Sequence, residues 1–415
     1  MMRPLIIAIL SLFYFSATAQ ESNYQFNFIG KEDQITVPFE YKQGFIILEV
    51  TLNGKDQLNL ILDTGAENII LFKYYAIDKY DLTVSKDIKL VGSDLEQVVE
   101  ASICRSNKVK LETGVAFSND LIVLKEDILA LDQLTGLPID GILGGRAFWG
   151  QTIEIDYIKE ELTIYKSKSA PQFAHDLNYQ SYPVTLENHK PYIYLTYRDH
   201  NEKAIDLKVL MDTGSALGLL LFSHADSTLN LPPAHIRAAL GKGIGGDIMG
   251  YIGRLPKVEL SEVFFFNNMV AYFQDIEEDL DPDIYAERLG LIGNPLLSRF
   301  DVVIDYLNCV AYLKTNERYG DDWPHDLSGL QIFATGRNLR EFVVNAVFER
   351  SPAKEAGFQK GDIIKRIGIW GANQLSMSSL GDKLSKRVGK KVRIVVTRDG
   401  KKLVKKIKLK DYLSP

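Results

Sequence analysis

Two aspartates stand out among the residues whose type and spacing suit chemistry. Asp63 opens Asp63-Thr64-Gly65-Ala66, and Asp212 opens Asp212-Thr213-Gly214-Ser215. Each follows an alternating apolar run, Leu58-Asn59-Leu60-Ile61-Leu62 and Leu207-Lys208-Val209-Leu210-Met211. Each precedes another, Ile69-Ile70-Leu71-Phe72 and Leu219-Leu220-Leu221-Phe222. A strand running into a tight glycine turn fixes a carboxylate at its end and exposes it. Two carboxylates brought to about 3 Å cannot both ionise comfortably, so they share a proton and titrate as a unit. Such a pair is a general base and a general acid at once, able to activate a water against an amide carbonyl. No Ser or Cys nucleophile constellation competes. The six His are scattered, without His-x-x-x-His or His-Glu pairs, so neither a metal site nor a cofactor is expected.

The spacing shows an internal duplication. Asp63 and Asp212 lie 149 residues apart, as do Gly144 and Gly293 of Ile142-Leu143-Gly144 and Leu291-Ile292-Gly293. The same offset of 149 relates Asp156 and Asp305 of Ile155-Asp156-Tyr157 and Ile304-Asp305-Tyr306, which read as structural strand-end residues. Upstream the match between Phe45-Ile46-Ile47-Leu48 and Tyr192-Ile193-Tyr194-Leu195 slips, as a longer hairpin loop at Arg198-Asp199-His200-Asn201 would require. Glu67, just past the first turn, reads as solvent-facing.

Asp-Thr-Gly-Ala/Ser after an apolar strand, followed by an apolar-apolar-Gly triplet, resembles the aspartic peptidases of the pepsin and retroviral-protease (retropepsin-like) type. The resemblance covers residues 35–315. It implies a mostly β fold with two duplicated β-barrel-like lobes, each supplying one catalytic aspartate, Asp63 and Asp212. It further implies that Thr64 and Thr213 hydrogen-bond across a pseudo-twofold axis, and that Gly65 and Gly214 let their N–H groups approach the carboxylates. The copies differ at Ala66 and Ser215. Only the serine can donate to its aspartate, which points to Asp212 as the more acidic partner.

Pro232-Pro233 introduces a helix candidate through residues 234–240, followed by Gly241-Lys242-Gly243-Ile244-Gly245-Gly246. A dinucleotide loop would have to open a helix, whereas Ile248, Tyr251 and Leu255 continue with strand character. Gly243-Ile244-Gly245-Gly246 resembles the flap tip of retroviral proteases, where glycines allow close approach of backbone to a peptide. The same run also suits an ordinary mobile loop. Its counterpart in the first copy contains only Gly92.

Residues 1–19 have a basic start, a short apolar run and an Ala17-Thr18-Ala19 end, the pattern of a secretory signal. The expected protein is therefore exported, periplasmic or secreted, and not membrane-spanning. Lobes are expected over 20–165 and 166–315, with residues 20–40 either a first strand or a removable pro-segment. Cys104 and Cys309 fall in different lobes and read as two free, buried side chains. After a polar linker at 315–322, Ser351-Pro352-Ala353 through Gly361-Asp362-Ile363-Ile364 resembles the core signature of PDZ domains, over 325–412. Gly329-Leu330-Gln331-Ile332 stands where a carboxylate-binding loop would be, though it departs from Gly-Leu-Gly. The implied ligand is the C-terminus of a peptide or protein.

Residues 351–415 carry 17 Lys and Arg against 5 Asp and Glu, a net +12, leaving −18 for the rest of a protein of formal charge −6. Lysines on an edge strand explain part of this, attraction to an anionic surface is the other reading, and nothing indicates nucleic acid. Two function classes stand. The first is an exported aspartic endopeptidase, active as a monomer on peptide or protein substrates, with a PDZ domain for recognition. The second is a peptide-binding scaffold with an idle cleft.

Overall fold

The computed structural model describes residues 27–28, 32–91, 98–111, 115–166, 173, 175–222, 229–243, 246–275, 289–385 and 387–413. The expected signal segment, Gly92, Ile244 and Gly245 lie outside the described residues. The described residues are mostly β, arranged in four sheets. Among them no helix is long and apolar enough to cross a membrane.

Two of the sheets repeat one design. In the first, Gln57–Asp63 pairs in parallel with Gly141–Gly144, which pairs antiparallel with Ile69–Leu71. In the third, Ala204–Asp212 pairs in parallel with Gly290–Gly293, which pairs antiparallel with Leu219–Phe222. Gly144 stands opposite Asp63 and Gly293 opposite Asp212. The glycines are required because this strand threads between the two others. A methyl group on Gly141 would lie 2.2 Å from the Ile70 carbonyl oxygen, and one on Gly290 2.2 Å from that of Leu220. Strand alternation does the rest, turning Leu58, Leu60 and Leu62 into one apolar core and Leu207, Val209 and Met211 into the same core from the other copy.

The second sheet joins the copies. Its central pair is Thr152–Asp156 against Phe300–Asp305, in register Thr152↔Asp305 to Ile155↔Val302. Each copy adds two strands outside this pair, Glu161–Tyr165 and Gln34–Pro38 on one side, Val310–Thr315 and Gln180–Pro183 on the other. Gln34–Pro38 is thus built into the body as a strand. Asp156 and Asp305 accept backbone N–H groups of the following turns, from Ile158 and Lys159 and from Leu307 and Asn308. Asn53 and Gly54 both take positive φ, closing the first copy's hairpin, and its equivalent loop runs one residue longer, between Arg198 and Ala204.

Two expectations need correction. Residues 234–240 are not helical: His235–Gly243 is a strand paired with Gly246–Glu259. Tertiary pairing overrides the propensity of a short segment flanked by prolines and glycines. Cys104 is buried but Cys309 is exposed, because it sits at φ 55° in the turn before Val310–Thr315. The last segment packs against the second lobe.

The fourth sheet runs Leu330–Thr335, Glu341–Val347, Ile363–Ile367, Lys391–Arg398, Lys401–Lys408, with Trp370–Gly371 also paired to Ile363–Ile367, and has its own core with helix Met377–Ser385. Ser351 caps the helix Pro352–Glu355 by accepting the Lys354 N–H at 3.2 Å, with proline at the first turn. The buried Asp362 is forked by Arg398 at 2.6 and 2.8 Å. Past this unit, Leu413 is 1% exposed in an apolar cluster with Ile236, Leu240, Ile252 and Leu291 of the second lobe. Leu413→Ala should therefore lower the stability of the whole protein by roughly 2 kcal/mol. A thermal melt showing no shift would mean that the tail is not part of that core.

Candidate functional site

The two aspartate turns are locked to each other by reciprocal hydrogen bonds. The Thr64 N–H donates to Thr213 Oγ1 and the Thr213 N–H to Thr64 Oγ1, each at 3.0 Å. The Thr64 hydroxyl donates to the Met211 carbonyl at 2.6 Å, and the Thr213 hydroxyl to that of Leu62 at 2.8 Å. Both threonines are fully buried, so an unpaired partner here would have no water to turn to. With the turns fixed, Gly65 and Ala66 N–H groups donate to Asp63 Oδ1, both at 2.9 Å, and Gly214 N–H donates to Asp212 Oδ1 at 2.8 Å.

The carboxylates interleave with the opposite turn. A methyl group on Gly65 would fall 2.5 Å from Asp212 Cγ, and one on Gly214 2.3 Å from Asp63 Cγ. Each glycine thus leaves the space that the other copy's aspartate uses. Burial raises the Asp63 pKa well above the usual carboxylate range, the charge of Asp212 and a hydrogen bond to it raise it further, and the Ala66 and Gly65 N–H groups act against this. The pair therefore titrates as a unit, with its shared proton held to higher pH than a free carboxyl would hold it.

Around this symmetric centre the copies diverge. Glu67 is not solvent-facing. Its Oε1 lies 3.3 Å from Arg146 Nη1 and 3.7 Å from His189 Nδ1, because the loop carrying His189 reaches across from the second copy. At the equivalent position the second copy has Ala216, and a methyl group on Gly44 would lie 3.0 Å from its Cβ. Asn294 replaces the charged set there, donating to the carbonyls of Gly44 and Thr213 and accepting from the Tyr157 hydroxyl at 2.7 Å. Comparing positions 149 apart exposes the contrast of Glu67 with Ala216 in the sequence. Its partners come from elsewhere and cannot be found that way.

Beside the Asp212 turn lies a cavity of about 520 Å³, lined among others by Tyr41, Ala216, Gly218, Tyr272, Arg299 and Trp323. Arg299 gave no signal in the sequence. It is buried, stacks 3.8 Å over Trp323, and donates to the carbonyls of Pro295, Arg318, Tyr319, Asp321 and Asp322. The polar linker is thereby clamped to the second lobe.

Gly243 pairs with Gly246 at the end of the hairpin His235–Gly243/Gly246–Glu259. The expected ligand loop lies in the fourth sheet. Gly329 has φ +76°, and Asp326 accepts its N–H together with the Ser328 N–H and hydroxyl. Leu330 and Ile332 point into the core, while Gln331 accepts from Asn345 at 2.7 Å and approaches the Ala239 carbonyl at 3.5 Å. Leu330–Thr335 is an edge strand that faces the hairpin, with Lys242 Nζ 5.8 Å from the Phe333 ring centre. The first lobe meets the same strand: a methyl group on Gly136 would lie 2.9 Å from Met377 Cβ and 3.7 Å from Ala334 Cβ.

Residues 321–409 match the PDZ domain family, and this segment is the six-stranded unit around helix Met377–Ser385. A domain of this family suggests a protein- or peptide-binding role. No curated protein matches this sequence.

Two outcomes follow from the aspartate turns. Thr213→Val removes the acceptor of the Thr64 N–H and the donor to Leu62, and should cost about 1–3 kcal/mol in chemical denaturation; a variant as stable as the parent would show that the bridge carries no strength. The second concerns pH. A carboxyl whose folded-state pKa is raised contributes stability that is fully present below its unfolded pKa and lost as pH rises through the folded one. Asp63→Asn cannot ionise, so it should match the parent in acid and melt increasingly above it toward neutral pH. A gap that does not widen with pH would mean that Asp63 is not held protonated.

Proposed function

We propose that the body over residues 35–315 is an aspartic endopeptidase whose PDZ domain, residues 321–409, recruits or positions a peptide. The observation that carries this reading is the interleaving of Asp63 and Asp212 with Gly214 and Gly65, since it leaves two carboxyls facing each other with one proton to share. In the reaction the ionised carboxylate takes a proton from a water held between the pair. The water oxygen bonds to the amide carbon, and the protonated partner gives its proton to the carbonyl oxygen. The tetrahedral carbon then collapses as a proton passes to the amide nitrogen and the carbon–nitrogen bond breaks. No covalent enzyme intermediate is required.

The hairpin ending at Gly243 and Gly246 takes the role of a flap over the extended substrate. Because the PDZ edge strand lies against that hairpin, a peptide held by the domain is close to the element that would close over it. The N-terminal segment directs export. The second reading, a binding scaffold with an idle cleft, has the PDZ domain in its favour. It gives no reason for two mutually repelling carboxyls to be kept in a poorly solvated place.

Asp63→Asn and Asp212→Asn should each remove nearly all hydrolysis in a peptide-library digestion across acidic to neutral pH, with unchanged circular dichroism. The amide fills the same space but cannot relay the proton. A variant that retains half of the parent rate would sink the mechanism. Both aspartates come from one polypeptide, so specific activity should stay constant on dilution. A collapse that tracks loss of a dimer would mean that the two turns of one polypeptide do not share a site.

A further inference from the structure

The strand of the PDZ domain that would receive a peptide is covered by the protein itself. Leu330–Thr335 ends the fourth sheet, and among the described residues it pairs with Glu341–Val347 on one side and with no strand on the other. Peptides add to such an edge through main-chain hydrogen bonds, with pockets for alternate side chains. Here the first lobe stands in the way. Its short helix Leu131–Thr135 lies against the strand, and Gly136, at φ 69°, ends that helix. A methyl group on Gly136 would meet Ala334 Cβ of the strand at 3.7 Å and Met377 Cβ of helix Met377–Ser385 at 2.9 Å. Gly136 therefore sits between strand and helix, where a side chain of an added peptide would enter.

The cover is firmly built. Leu129 and Leu131 are buried in an apolar cluster of the first lobe, Leu134 and Leu137 pack against it, and the Thr135 hydroxyl donates to the Leu131 carbonyl at 2.6 Å. The second lobe's hairpin meets the same strand through Gln331 and Phe333. It also reaches the first lobe: burial raises the pKa of Asp127, and Lys242 is among the charges that act against this. The loop before the strand is filled as well. The Ser328 N–H and hydroxyl, the Gly329 N–H and the Tyr412 hydroxyl all donate to the Asp326 carboxyl, and the Leu330 N–H donates to Ser328 Oγ at 3.2 Å. A ligand's terminal carboxylate would have to displace the protein's own.

We propose that the first lobe holds the PDZ groove shut, and that an extended peptide segment opens it by adding as a strand to Leu330–Thr335, without need of a free C-terminus. The helix Leu131–Thr135 offers the edge no ladder, whereas an added strand pairs its N–H and C=O groups, and that difference favours the exchange. The ligand is then an internal stretch of an unfolded chain, the kind an endopeptidase cuts. Such opening regulates the recruiting role proposed above, on which it rests, and is independent of hydrolysis.

The test uses the full-length protein carrying Asp63→Asn, which should leave peptides uncut, and Cys309→Ser, which removes an exposed thiol. To these are added Gly136→Cys and Ala334→Cys, whose Cβ separation of 3.7 Å suits a disulfide. Random peptides displayed on phage, with the coat protein fused behind them, are selected on the reduced protein, and the enriched sequences are synthesised as acid and as amide. Acid and amide should bind the reduced protein within about threefold of each other, and the oxidised protein at least about tenfold more weakly. Hydrogen exchange should slow in residues 330–335 on binding. Gly136→Asn, whose left-handed backbone asparagine tolerates, sets a side chain against Met377 and should bind the same peptides at least about threefold tighter than the protein with Gly136. If the cysteine variant does not fold, selection on Gly136→Asn and that comparison take its place. No enrichment, equal binding to the oxidised and reduced forms, or equal binding with Gly136 and with Asn in its place would overturn the proposal. So would a preference for acid over amide of about tenfold or more, or exchange that slows at the aspartate turns instead of at 330–335. None of these arms reads hydrolysis, so their failure and the failure of the peptidase reading are separate results.

Discussion

Everything about the central site depends on four hydrogen bonds between two buried threonines and the opposite copy. Thr64 and Thr213 each give an N–H and a hydroxyl and each accept once, so neither turn is complete without the other. An aspartate at a strand end has a fixed direction only as far as its turn is fixed. The threonines fix both turns at once, across a sequence separation of 149 residues. The glycines that follow can then be replaced by nothing larger, since each occupies the wall of the partner's carboxyl site. The raised pKa of Asp63 is a consequence of the same closure, which brings a second carboxyl to it while removing water.

The six-stranded sheet carries this lock at larger scale. Its central strands are the same segment of the two copies, Thr152–Asp156 and Phe300–Asp305, paired antiparallel. A single apolar core runs from Val37 through Leu62 and Ile155 to Met211 and Ile304, so the copies cannot slide without breaking it. Close packing of that kind resists small displacements. It holds carboxyls that repel each other in positions they would otherwise leave.

What the sequence disclosed follows from the kind of interaction involved. The aspartate strands, the glycine-ended strands after them and the strand ends at Asp156 and Asp305 were legible because duplication repeats them in register, and because alternation at period two marks a buried face. The turns at Asn53-Gly54 and Asp399-Gly400 take left-handed backbone, which selects those residue types. The strand His235–Gly243 was hidden because only its pairing with Gly246–Glu259 decides it. Glu67 was misread because Arg146 and His189 reach it from other segments, and Arg299 was invisible because its partners are backbone carbonyls of a linker with no pattern of its own. Contacts made to backbone atoms, or between copies at unequal positions, leave no trace in local composition.

The divergence of the copies is where a duplicated body gains direction. A symmetric pair of turns presents two equivalent flanks, and nothing in it distinguishes one direction from the other. Here one flank carries Glu67, Arg146 and His189, while the other carries Ala216 beside a cavity walled by Trp323. Trp323 directly follows the linker that Arg299 clamps, at the start of the segment that matches the PDZ domain. The domain is held to the same copy again at its far end, by Leu413 in the apolar cluster and by Asp411, which lies 3.3 Å from Arg254 and 3.1 Å from His325. Two attachments to one body suppress the free rotation expected of a tethered module. The asymmetry of the central site and the placement of the PDZ domain therefore share one structural origin, the second copy and the linker folded against it.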